Sequence, residues 1–207
     1  MPESRDYLLA SITGFLTGLL VVSILFFFIR IPFDYRYLGI IVVFPLLVLL
    51  GIWFSGVLAR TVKPFFLQFG KFAAVGFLSA AIDFFVLNLM SYVTGITAGL
   101  IIGWINAPGF LLGTLNAYLF NKLWVFGHEG GIFNRLPIFF AVTLIGLFLN
   151  SVTVILLTTY VHLPEYVPAI VSLNLAKIVA TVVAMVWNFN GYKFLAFAEK
   201  SEKNPQM

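Results

Sequence analysis

Residues 72–94 form an apolar run of 23, long enough to cross a bilayer, and the only charge within it is Asp83 near the midpoint. An ionised carboxylate at that depth costs about 3 kcal/mol on insertion scales, so it must face protein, water or a counter-charge rather than lipid. On a helix, Gly76, Ala80 and Asp83 share one stripe with Ser79 beside it, and side chains this small let a neighbouring helix approach the acid closely. The run therefore demands a polar partner for Asp83 from elsewhere in the chain.

The remainder of the sequence has the same character. Of 207 residues, 61% are hydrophobic and 10% charged, with a mean hydropathy of +1.05. Soluble globular domains do not reach that balance. Nearly all the charges lie between or beyond the apolar runs, which leaves no aqueous catalytic domain. The absence of cysteine excludes disulfides, thiolate metal sites and cysteine nucleophiles. The net charge of +4 comes from bases that flank the runs, where they set orientation and meet anionic lipid, so nucleic acid is not an expected partner.

Six spans follow from hydropathy, at about residues 7–29, 37–59, 72–94, 98–120, 137–160 and 168–190. The expected fold is an all-α polytopic membrane bundle of six transmembrane helices. Gly14 and Gly18 form a GxxxG on the first, a candidate packing face, and Pro45 frees the Ile41 carbonyl in the second. The fourth carries Asn106, Pro108, Gly109, Gly113 and Asn116, and ends in a basic and aromatic belt in which Trp124 and Phe126 read as interfacial anchors. The fifth contains Asn150. On the sixth, Asn174, Lys177, Thr181 and Asn188 follow at steps of three, four and seven, which places them on one polar face.

Lys and Arg divide unevenly between the two sides. Nine of them, from Arg5 through Arg60, Lys63, Lys71, Lys122, Arg135, Lys193 and Lys200 to Lys203, fall on one side, and only Arg30 and Arg36 on the other. The positive-inside rule then predicts that both termini are cytoplasmic. The twelfth base, Lys177, lies inside the sixth span at a depth that permits a direct pair with Asp83.

An internal repeat accompanies this layout. Lys122 to Phe126 and Lys193 to Phe197 both read Lys-x-x-x-Phe, displaced by 71 residues, and Lys71-Phe72-Ala73-Ala74-Val75 resembles Phe139-Phe140-Ala141-Val142. The last four helices thus read as a parallel duplicated pair of two-helix units.

These features resemble the GtrA-like family of four-helix membrane proteins, which also forms the membrane part of some dolichol-phosphate mannose synthases. The resemblance rests on Gln68-Phe69-Gly70-Lys71-Phe72-Ala73-Ala74-Val75-Gly76 with Ile82-Asp83, on Phe120-Asn121-Lys122-Leu123-Trp124-Val125-Phe126, and on Asn188-Phe189 to Phe197. In the second signature Tyr192 and Phe194-Leu195-Ala196 stand where the first has Asn121 and Leu123-Trp124-Val125. The division expected is a two-helix extension at 1–62, a GtrA-like domain at 63–198 and a cytoplasmic tail at 199–207. The family implies work on polyprenyl-phosphate-linked sugars in cell-envelope glycan building, such as undecaprenyl-phosphate glucose, made by a separate glycosyltransferase that is a candidate partner.

Three functions fit the residues: flipping of a lipid-linked sugar, anchoring of a glycosyltransferase, or ion-coupled export of a small molecule. Asp83, Lys177, Asn106, Asn150 and Asn174 are candidate contacts for sugar hydroxyls, with Asn116 and Asn188 nearer the cytoplasmic side. Lys71, Lys122 and Lys193, with Arg135, are candidates for a lipid phosphate, and equally ordinary positive-inside bases. His162 and Glu165 fit a solvated outer turn. His128 and His162 fall on opposite sides, which argues against a metal site. No acidic metal-nucleotide motif stands in a loop, so the expectation is a non-enzymatic chain with no cofactor. A homo-oligomer is compatible with the sequence.

Overall fold

The computed structural model describes residues 1–32, 34–125, 136–161 and 163–191. Among the described residues six α-helices follow one another: α1 (Ser4–Ser23), α2 (Arg36–Thr61), α3 (Phe65–Thr94), α4 (Ile101–Phe120), α5 (Leu136–Tyr160) and α6 (Ala169–Gly191). The chain is a polytopic helical membrane protein. Among the described residues five helices are long and apolar enough to cross a membrane, and α4, at 20 residues, is diluted by Asn106, Pro108 and Asn116. Helix α3 begins seven residues before its apolar run, because Pro64 opens it and the segment that reads as a polar link joins its first two turns. It stops at Gly95, whose φ of 71° supplies the left-handed cap that a side chain would resist.

Helices α1 and α2 form a hairpin built on the two glycines of the GxxxG. A Cβ on Gly14 would lie 2.5 Å from Pro45 Cα, so that position needs glycine for the approach, and one on Gly18 would lie a tight 3.2 Å from Ile41 Cα. The hairpin packs on α3 through Ala10, Val48, Ile52, Ala74 and Val75. Helices α3 with α4, and α5 with α6, form the two tight pairs expected of the duplication, and α4 against α5 joins them. Contacts between α3 and α6 are sparse.

Both α1 and α4 continue into π turns, Ile24–Phe28 and Asn121–Val125. Bonding i to i+5 re-phases the side chains that follow an α-helix. After α4 this turns Asn121, Trp124 and Val125 all inward.

Candidate functional site

The approach of α3 to α4 sets the site. A Cβ on Gly109 would fall 2.6 Å from the Asp83 carbonyl oxygen, and one on Gly113 would fall 2.5 Å from that of Ser79. With two hydrogens in place of side chains, the helices close up and bury Asp83 to 6% exposure. Asn116 reinforces the same seam by donating its amide to Ser79 Oγ at 2.9 Å.

Lys177 is wholly buried, and its ammonium finds one acceptor for each of its three protons. Nζ lies 2.6 Å from Asp83 Oδ2, and it donates to Asn106 Oδ1 at 2.6 Å and Asn150 Oδ1 at 2.9 Å. Asn106 in turn donates to Asn150 Oδ1 at 2.9 Å and Ser151 Oγ at 3.1 Å. One side chain comes from each of α3, α4, α5 and α6. The quartet also follows the duplication: Asn106 and Lys177 are 71 positions apart, as are Lys122 and Lys193, while Asp83 and Asn150 are separated by the 67 that aligns Ala74-Val75 with Ala141-Val142. One pair of repeat-equivalent positions thus holds an acid and an amide, and the other an amide and a base.

Asn174, three residues before Lys177 on the same face of α6, does not belong to this network. It forms a reciprocal pair with Asn88, each Nδ2 donating to the other's Oδ1 at 2.8 Å, and each also donating to the backbone of its own helix. Three residues along a helix are about 4.5 Å of rise, enough to place Asn174 at the level of a different partner. Asn88 carries no flag in the sequence beyond being an amide inside an apolar span, five residues after the acid.

Beside the quartet is a cavity of about 320 Å³. Its walls come from α3, α4, α5 and α6, and exposed Phe69, Phe77 and Met185 bring its mouth to the lipid-facing flank where α3 and α6 barely touch. Most of the lining is apolar. Four of its lining residues each carry a buried polar atom with no hydrogen-bond partner among the described residues: Asp83 Oδ1, Asn121 Oδ1, Asn188 Oδ1 and Asn150 Nδ2. Leaving such groups dry costs about 1–3 kcal/mol each, so native proteins keep few of them outside sites that have another use for them.

The basic candidates separate. Lys71 is paired within the protein, its Nζ 2.7 Å from Asp6 Oδ1. Lys122 lies in the π turn after α4, partly buried. Lys193, Arg135, His162 and Phe126 fall outside the described residues. Trp124 is not the interfacial anchor expected of it: it is 6% exposed, and its indole N–H donates to Asp6 Oδ1 at 2.8 Å. The π turn points it into the core, and the α1–α2 hairpin covers it.

Fold and site together define a multi-pass helical protein with a charged network sealed inside a four-helix bundle. Residues 71–197 match the family described as the GtrA/DPMS transmembrane domain, and the chain belongs to that family. Membership ties it to the metabolism or transport of polyprenyl-phosphate-linked sugars, through a membrane domain that is typically a transporter or accessory rather than a catalyst. No curated protein and no solved structure matches the chain.

Proposed function

We propose that the protein moves a polyprenyl-phosphate-linked sugar between the leaflets of the cytoplasmic membrane, with both termini on the cytoplasmic side. The observation that carries this reading is that four residues lining one cavity each hold an unpartnered polar atom among the described residues. Three of them accept and one donates, which suits a ligand rich in hydroxyl groups, since each hydroxyl brings a proton to give. A phosphate would be repelled by Asp83 and is better placed toward the end of the bundle that carries Lys122. A mouth on the lipid side lets the hydrocarbon tail stay in the bilayer while the sugar enters. A second, almost wholly apolar cavity of about 380 Å³ between α2 and α3 shares Phe69, Ala73 and Phe77 with the first and suits part of such a tail.

The test is leaflet exchange of a polyprenyl-phosphate glucose in proteoliposomes. Wild type should accelerate exchange, and Asp83→Ala should abolish it while the protein remains folded. Undiminished exchange by folded Asp83→Ala would sink the mechanism. The saturated ammonium of Lys177 favours a second reading, in which the network is structural and the chain anchors a glycosyltransferase. Wild-type protein that binds such an enzyme tightly and exchanges no lipid would select it.

A further inference from the structure

Asp6 stands in the first turn of α1, outside the family-matched region, and is 5% exposed. Its Oδ1 takes two donors at once, the Lys71 ammonium at 2.7 Å and the Trp124 indole N–H at 2.8 Å, while Oδ2 accepts from the Glu3 N–H at 3.0 Å. Both side-chain donors belong to the family region, at the start of its match and in its Asn121-Lys122-Leu123-Trp124 stretch. The acceptor alone comes from the added hairpin. A cation and a neutral N–H converging on one oxygen is the arrangement that binds a carboxylate or phosphate oxygen, and these charge-assisted bonds are about twice as strong as neutral ones. Buried indole and ammonium donors both need an acceptor, so without Asp6 this corner would call for an anion from outside.

The corner lies close in the chain to two residues of the cavity lining: Phe72, next to Lys71, and Asn121, one turn before Trp124. The hairpin does not depend on the ion pair for its seat, because Ala10, Val48 and Ile52 pack on Ala74, Val75, Trp124 and Val125, and Gly14 on Pro45. A carboxylate at this position is therefore more than docking requires.

We propose that Lys71 and Trp124 form a phosphate-binding site beside the cavity, where α1 covers α3 and the turn after α4, and that Asp6 fills it as an internal competitor, so that the N-terminal hairpin restrains binding of a phosphate-bearing ligand there. The inference deepens the transport reading, but it is tested by binding at equilibrium, so a failure of transport would leave it intact.

Full-length protein in phosphatidylcholine nanodiscs is titrated with dioleoyl phosphatidic acid and, separately, with inorganic phosphate, and unfolding temperature reports the fold of each variant. If the carboxylate holds the site about nine-tenths of the time, Asp6→Asn raises apparent affinity about tenfold. Asp6→Ala, which removes the acceptor altogether, should do the same and serves should the Asn variant fold poorly. Adding Lys71→Met to either should return affinity to the wild-type level. A gain with phosphatidic acid alone identifies a lipid headgroup as the ligand, and a gain with inorganic phosphate identifies the free anion. Folded Asp6 variants with unchanged or weaker affinity, or a gain that survives Lys71→Met, would overturn the proposal and leave Asp6 as a tether.

Discussion

Asn106 and Lys177 occupy equivalent positions of the duplicated unit, 71 residues apart, and in the folded chain they bond directly, Nζ to Oδ1 at 2.6 Å. Asp83 and Asn150, the other equivalent pair, complete the ammonium's coordination. Each charge is balanced not by its own counterpart, which is an amide in both cases, but by the charge of the other pair, Asp83 against Lys177. The four groups consequently hold one another, and altering one leaves the others exposed to a medium that cannot solvate them.

Breaking the pair from one side should be worse than removing it. Asp83→Asn and Lys177→Met should each cost about 3–5 kcal/mol, because each leaves a buried group without its counter-charge. The double variant should lose less than the sum of the two. Denaturant unfolding in micelles measures all four corners of the cycle, and strictly additive losses would show that the charges act independently.

The Asn88–Asn174 pair should be smaller in effect and equally coupled. Interhelical amide bonds in membranes contribute about 0.6 kcal/mol on average and at most about 1.7. Asn88→Leu or Asn174→Leu should cost that order, and the double substitution little more than one alone. A double-variant loss equal to the sum would mean that the amides find other partners.

Two glycines of the same region should respond in opposite ways. A side chain at Gly76 meets nothing within 4 Å and projects into the cavity, so Gly76→Leu should fold as well as wild type, with about 0.5–1 kcal/mol of added helix stability, while abolishing lipid exchange. Gly109→Val instead collides with the Asp83 backbone and should separate α3 from α4. Thermal unfolding beside the exchange assay distinguishes them, and full exchange by Gly76→Leu would remove the cavity from the pathway.

Orientation is open to labelling. A cysteine replacing Lys63, in the link before α3, should resist a membrane-impermeant thiol reagent in intact cells, and one replacing Glu165, between α5 and α6, should react. The chain has no native cysteine to confuse the result. The reverse pattern would invert the topology and put the Lys71 end outside.

Hydropathy and the cost of a lone charge are properties of a single stretch, and so the sequence alone determined that this is a helical membrane bundle, roughly where its helices lie, and that Asp83 must have a polar partner. Lys177 was legible as that partner because only one base lies inside a span. What a helix buries also depends on its rotation and its neighbours, which no single stretch contains. Only the tertiary structure could pair Asn174 with Asn88 rather than align it with Lys177, since a few ångströms of rise change which helix an amide meets. Only the π turn after α4 could carry Trp124 from the interface into the core. The joining of Asp6 to Lys71 crosses 65 residues of chain and depends on a hairpin seated by Gly14 against Pro45, a contact between surfaces that exists only once both have folded.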